Sequence, residues 1–147
     1  MASPFEAVVR TILRDMTDTR LLAATLASRL KAGDVLALAG DLGAGKTTLV
    51  KAIAAVWGAH EAEVRSPTFA LIQVHELAAQ TLVHADLYRL KDTDDLLGCG
   101  LLEHLGADDC VVAIEWPELA EPWLPEHTLR LQLRLLPDGS RQADLAD

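Results

Sequence analysis

The segment Gly40-Asp41-Leu42-Gly43-Ala44-Gly45-Lys46-Thr47 fits the phosphate-loop pattern GxxxxGK(S/T). Each residue type in it answers a physical need. Glycines let the backbone curl until successive N–H groups point at phosphate oxygens, a lysine reaches the terminal phosphates, and a hydroxyl holds Mg²⁺. The pattern predicts a nucleoside triphosphate wrapped by Asp41, Leu42, Gly43, Ala44, Gly45, Lys46, Thr47 and Thr48, with Lys46 on the terminal phosphates and Thr47 on the metal.

Such a loop needs a strand before it and a helix after it. Val35 to Ala39 is a short apolar run between Gly33-Asp34 and Gly40, as expected of a strand buried on both faces. Beyond the loop, Leu49, Ala52, Ile53, Val56 and Trp57 recur at helical spacing, and Gly58 is a stop. Upstream, Ala7 to Leu13 reads as a short strand or arm. Thr17, Asp18 or Thr19 can cap a helix carrying Leu22, Leu26, Arg29 and Leu30.

Downstream, Ala70 to Glu76 and Leu82 to Asp86 form a hairpin pattern about Ala79-Gln80. Asp92-Thr93-Asp94-Asp95 starts a helix that Gly98 and Gly100 divide into two short pieces. Val111 to Ile114 is a second buried strand. Leu129, Leu131, Leu133 and Leu135 alternate with Arg130, Gln132 and Arg134, the period of an antiparallel strand with one wet face, and Pro137-Asp138-Gly139-Ser140 turns the chain back. The fold expected is α/β: a three-layer domain resembling P-loop NTPases, spanning 1–147, with a mixed, mostly parallel central sheet and antiparallel C-terminal strands.

Two acids close short apolar strands, Asp86 and Glu115, and in open α/β sheets the carboxyl ends of strands line the ligand crevice. Glu115 stands where the acid of a Walker B strand would, as a metal ligand directly or through water. Asp86 is a candidate to orient water or join the metal shell, or else a cap or ion-pair partner of Arg89. With Lys46, these acids form the expected catalytic set. Thr68 is a candidate sensor of the terminal phosphate, and Trp116 either packs over the site or belongs to the core. His60, His75, His84, His104 and His127 show no metal-site spacing and are assigned no chemistry. Guanine-reading proteins commonly use an Asn-Lys-x-Asp segment, and the chain contains no asparagine, which favours ATP over GTP.

At 147 residues with a formal net charge of −9, the chain suits one domain and argues against tight direct binding of nucleic acid, although a local basic patch around Arg65, Arg89 and Lys91 is compatible with it. No apolar stretch approaches a bilayer span and no signal-peptide pattern opens the chain, so a cytoplasmic location is expected. Cys99 and Cys110 are too far apart for a CxxC pair and read as reduced packing residues.

Taken together, Gly40 to Thr48, Ser66-Pro67-Thr68-Phe69, His84-Ala85-Asp86-Leu87-Tyr88-Arg89-Leu90 and Ile114-Glu115-Trp116-Pro117-Glu118 resemble the bacterial TsaE family, formerly called YjeE. The resemblance covers Thr17 to Glu118 in the family's order and spacing. It implies an ATPase that works with the proteins TsaB and TsaD to place threonylcarbamoyl on the adenosine next to the anticodon of tRNAs reading ANN codons, tRNA being met only through the complex. It carries the turnover acids over to Asp86 and Glu115, the Mg²⁺ ligand to Thr47, and adenine contact to the segment from Met16 to Thr19. Competing readings are a small-molecule kinase, for whose lid a chain this short leaves little room, and a nucleotide-gated adaptor, in which the acid pair would have little use.

Overall fold

The computed structural model describes residues 9–60 and 71–146. Seven strands form one sheet: β1 (Val9–Leu13), β2 (Val35–Ala39), β3 (Ile72–Glu76), β4 (Thr81–Asp86), β5 (Val111–Glu115), β6 (Leu129–Leu135) and β7 (Arg141–Ala146), in the spatial order β1-β7-β6-β2-β5-β4-β3. The central pairings β6–β2, β2–β5 and β5–β4 are parallel. The outer pairings β1–β7, β7–β6 and β3–β4 are antiparallel. The expected mixed α/β sheet is therefore present, parallel in the centre and antiparallel at both ends.

The pleat sorts side chains into two cores. On β2, Leu36 and Leu38 face one side, together with Leu82 of β4, Val111 and Ala113 of β5, and Leu129, Leu131 and Leu133 of β6. Against that side pack helix α1 (Met16–Arg29), through Leu22 and Leu26, and helix α2 (Lys46–Val56), through Leu49, Val50 and Ile53. The opposite side gathers Val35, Val83, Ala85, Val112 and Ile114 under helix α3 (Thr93–Gly98) and the 3₁₀ turns Leu101–Glu103 and Pro117–Trp123. Helices cover both faces of the sheet, giving three layers.

This alternation decides where chemistry can occur. His84 and Asp86 share a face with Leu82, Glu115 shares a face with Val111 and Ala113, and these are the faces that meet α2. Parallel register sets Asp86 directly opposite Glu115.

Several boundaries differ from expectation, each for a local reason. Helix α1 is capped by Asp15 rather than by Thr17, Asp18 or Thr19: Asp15 Oδ1 accepts from Asp18 N at 2.9 Å while Asp18 Oδ2 accepts from Arg14 N at 2.9 Å. Two acids three apart close the helix start: Asp15 is the cap, and Asp18, one of the expected caps, instead accepts from the N–H that precedes it. The same device opens α3, where Asp92 accepts from Asp95 N and Asp95 from Lys91 N. As expected, that region is two short pieces. The alternating run Leu129 to Leu135 is not a purely antiparallel strand, because β6 pairs in parallel with β2 and antiparallel only with β7, and Leu135 lies exposed beyond the core. Arg65 and Thr68 lie outside the described residues.

The carbonyl of β6 residue Leu133 presses on the first glycine of the phosphate loop: a Cβ on Gly40, whose φ is +147°, would stand 2.4 Å from that oxygen. At Gly43, φ is +81° but nothing lies within 4 Å of the corresponding Cβ. Gly43→Ala is accordingly expected to cost only the left-handed strain of about 1–2 kcal/mol. Gly40→Ala must also push strand from loop. Its urea midpoint should fall well below that of Gly43→Ala; equal midpoints would mean that this packing does not constrain the loop.

Candidate nucleotide-binding site

The loop from Gly40 to Gly45 leaves the carboxyl end of β2 and delivers the chain into α2. Its last glycine, Gly45, is the N-cap with φ +103° and no side chain to occupy the helix end, so the first-turn N–H groups and the positive end of the helix face the groove. Lys46 folds back over the loop. Its Nζ donates to the carbonyls of Gly40 and of Asp41, the latter at 3.0 Å, and lies 4.1 Å from the centre of the Trp116 ring. Burial pushes the Lys46 ammonium below its usual pKa, with the charges of Glu115 and Asp86 acting in the opposite direction.

Opposite the loop, Glu115 is buried at the end of β5, only 3% exposed. Thr47 Oγ1 lies 2.8 and 2.9 Å from its two carboxylate oxygens, and His84 Nε2 lies 2.6 Å from Oε2. Asp86 sits beside it, half-buried, with Oδ1 accepting from Tyr88 N at 3.0 Å. Burial raises the Asp86 pKa above the ordinary carboxylate value, and Glu115 adds to the rise, while the Tyr88 N–H, His84 and Lys46 oppose it. Thr47 and Glu115 offer hard oxygen donors, the ligand type that Mg²⁺ takes, usually one or two from protein with phosphates and water completing the shell. The donor set fits that ion.

A groove of about 510 Å³ runs along these groups, lined by Leu42 to Thr48, Leu71, Asp86, Tyr88, Arg89, Glu115, Trp116 and Arg141. A second hollow of about 300 Å³ adjoins it, lined in part by Met16, Thr19 and Leu49, and shares Ala44, Gly45, Thr48 and Arg141 with the first. Lys46, Thr47, Asp86 and Glu115 thus converge. Asp41 sits outside the groove lining and contributes its carbonyl to Lys46. Met16 lies in the first turn of α1, at the second hollow, and is exposed.

Two residues of the site, His84 and Arg141, went unread in the sequence, while Trp116, read as either packing over the site or belonging to the core, packs over it. His84 was assigned no chemistry, yet it is fully buried and bonded to Glu115. Its position two residues before Asp86 on the same strand face was the available signal. Trp116 takes the left-handed conformation, φ 56°, alone among described non-glycine residues, and its ring meets Tyr88 with centroids 4.8 Å apart. That strain is where a strand end turns at once into a proline-led 3₁₀ turn, and it aims the indole over Lys46. Arg141, from the first position of β7, reaches the loop from a part of the chain that carried no motif.

Residues 13–143 match the family model described as threonylcarbamoyl adenosine biosynthesis protein TsaE. The chain belongs to the TsaE family. Proteins of the TsaE family are involved in tRNA threonylcarbamoyladenosine biosynthesis. The chain is 39% identical over 139 residues to the TsaE protein of Treponema pallidum, covering 94% of this chain and all of that one. It is 38% identical over 125 residues to TsaE of Bacillus subtilis, covering 85% and 77% of the two chains. The crystal structure of Bacillus subtilis YdiB superposes with a TM-score of 0.73 at 29% identity, covering 95% of this chain and 85% of that one. Among the described residues, no helix is long and apolar enough to cross a membrane.

The raised pKa of Asp86 makes a signed prediction about this TsaE member. The folded protein binds the proton more tightly than the unfolded chain, so the ionised carboxylate costs stability at neutral pH and the cost fades as pH falls through the raised value towards 3.8. Without nucleotide, Asp86→Asn should melt above wild type at pH 7 to 8, and the two should converge in acid. A variant less stable than wild type at neutral pH would show that the carboxylate supports the fold.

Proposed function

We propose that the chain binds ATP with Mg²⁺ in the groove and hydrolyses it in the cytoplasm. In this reading it works with TsaB and TsaD to form threonylcarbamoyl on the adenosine next to the anticodon of tRNAs reading ANN codons. The observation that carries the reading is the contact between the Thr47 hydroxyl and the Glu115 carboxylate beside Asp86 and Lys46, in a member of the TsaE family. The absence of asparagine, and with it of a guanine-reading segment, favours ATP.

The loop N–H groups and the α2 terminus bind phosphate oxygens. Lys46 exchanges the carbonyls of Gly40 and Asp41 for terminal phosphate oxygens, stronger charged acceptors. Thr47 and Glu115 hold the metal, which when bound neutralises charge developing on the transferred phosphoryl group. His84 is a positioning residue that holds the Glu115 carboxylate in one orientation. Asp86, kept more basic than an ordinary aspartate, orients water for attack. Trp116 covers Lys46 and shields it from solvent.

Leu42, Tyr88 and Arg89 on the rim are exposed, so the groove is open where a partner could close it and exclude water. Slow hydrolysis by the isolated chain, accelerated by the TsaB–TsaD pair, is the expected behaviour. The test is ATP turnover with Mg²⁺, alone and with that pair, scored beside threonylcarbamoylated tRNA. Turnover indifferent to the pair, with no modified tRNA, would instead direct the search to a phosphorylated small acceptor.

Two variants separate binding from chemistry. Glu115→Ala should retain most nucleotide affinity yet lose hydrolysis and tRNA modification; persistent modification would make ATP a structural ligand of an adaptor. Lys46→Ala should lose affinity itself, by about 10- to 100-fold, as expected for a charge-assisted bond removed from a desolvated loop. Unchanged thermal stabilisation by MgATP in this variant would overturn the assigned loop geometry.

A further inference from the structure

The donors around Glu115 treat its two carboxylate oxygens differently. Thr47 Oγ1 lies 2.8 Å from Oε1 and 2.9 Å from Oε2, so its single proton can serve either. His84 Nε2 meets Oε2, at 2.6 Å. That contact is built into the sheet. In the parallel register of β4 and β5, Asp86 stands opposite Glu115 and His84 opposite Ala113, which sets the imidazole one pleat back on the same face.

The imidazole has no alternative partner. It is fully buried, and its other nitrogen, Nδ1, has no hydrogen-bond partner among the described residues. Giving up Oε2 would therefore leave a second buried nitrogen bare. The same observation assigns the proton. An Nε2–H donates a charge-assisted bond to the carboxylate, whereas a proton on Nδ1 alone would strand a buried donor and turn a nitrogen lone pair on an anion. Oε2 is thus committed to His84, and Oε1 is the oxygen left, beside the Thr47 hydroxyl, to face a cation.

Divalent cations differ in what they ask of a carboxylate. Mg²⁺ demands near-ideal octahedral geometry at about 2.0–2.1 Å and keeps several waters, so one oxygen per carboxylate suits it. Ca²⁺ takes about six to eight oxygens at about 2.3–2.6 Å and accepts both oxygens of one carboxylate. A carboxylate with one oxygen withheld by a rigid donor satisfies the first ion and leaves the second a ligand short.

Resting on the nucleotide and Mg²⁺ reading above, we infer that His84 sets the choice of metal: by holding Oε2 it restricts Glu115 to ligation through Oε1, so that the groove takes Mg²⁺ in preference to Ca²⁺. His84 is a positioning residue that acts through Glu115. Its task goes beyond fixing an orientation, because it removes one oxygen from the set offered to the ion. Without it, Glu115 is free to present both oxygens and the discrimination falls.

The test is electron paramagnetic resonance of Mn²⁺ bound with the non-hydrolysable ATP analogue AMPPNP to wild type, His84→Leu and His84→Gln, with Mg²⁺ and Ca²⁺ as separate displacing ions. Wild type should prefer Mg²⁺ over Ca²⁺ by more than the free analogue does. His84→Leu, which fills the space without a donor, should lower that preference about 10-fold, the scale of losing a partner of a metal ligand. His84→Gln brings an amide N–H towards the place of Nε2 and should recover most of it. An unchanged preference in a folded His84→Leu, even beside weaker binding of both ions, would overturn the inference and leave a core partner of Glu115, with the nucleotide reading intact. Should His84→Leu fail to fold, the wild-type chain decides: crystals grown with Ca²⁺ and AMPPNP should show Oε1 alone on the ion, and both oxygens there would overturn the inference. Failure of the wild-type chain to hold Mn²⁺ with AMPPNP at all would overturn both readings.

Discussion

A carboxyl group buried at the end of a strand must find hydrogen-bond partners to replace its lost hydration. Glu115 meets that requirement through two elements at once: His84, two positions back on the neighbouring parallel strand, and Thr47, on the helix that follows the phosphate loop. The bonds tie β4, β5 and α2 to a single point. The parallel register between β4 and β5 makes this possible, since antiparallel pairing would send the ends carrying Asp86 and Glu115 apart.

From that point the remaining architecture has identifiable tasks. β2 brings the loop to the same edge as the acids because it runs parallel to β5, with Leu38 opposite Glu115. β6 sets the floor of the loop through the Leu133 carbonyl under Gly40, and β7 sets its far wall through Arg141 against Gly45. The C-terminal hairpin is therefore part of the site's construction, although it carries none of the motifs on which the family resemblance rests. α1 contributes its first turn to the adjoining hollow, placed there by the reciprocal cap between Asp15 and Asp18. Asp15 itself also lines that hollow, so one side chain serves both helix start and cavity wall.

How much of this was legible in the sequence depended on the range of the interaction concerned. The loop, its strand and its helix were readable because local spacing dictates them: an apolar run, glycines, Lys46-Thr47, then helical periodicity. The acids were readable as strand-end residues because strand termini line crevices in this class of fold. His84 was legible only in part: its place two residues before Asp86 puts it on the strand face of the site, but spacing alone does not distinguish an imidazole bonded to a carboxylate thirty-one positions away from one that fills a core. Arg141 was less legible still, because its contact with the loop crosses 98 positions and depends on how the last hairpin docks. The Leu129 to Leu135 run conveyed its alternation correctly but not its partner, for period two is common to parallel and antiparallel strands.

The electrostatics of the site point in one direction. Burial lowers the pKa of Lys46 and raises that of Asp86, so the protein folds its cation and its anion into a place where neither is comfortable. Their mutual attraction offsets part of the cost, yet Lys46 Nζ is bonded to loop carbonyls and stacked on Trp116 rather than paired with either acid. Under the proposed function, a metal–triphosphate complex supplies what each lacks: anionic oxygens for Lys46 and a cation for the acid edge. The same ligand engages the loop N–H groups. A ligand that relieves charges on opposite walls of one groove gains affinity from strain already present in the fold, and its binding free energy is thereby linked to folding. Under the proposed function, the cost of burying Lys46 and Asp86 in this groove becomes a source of nucleotide affinity.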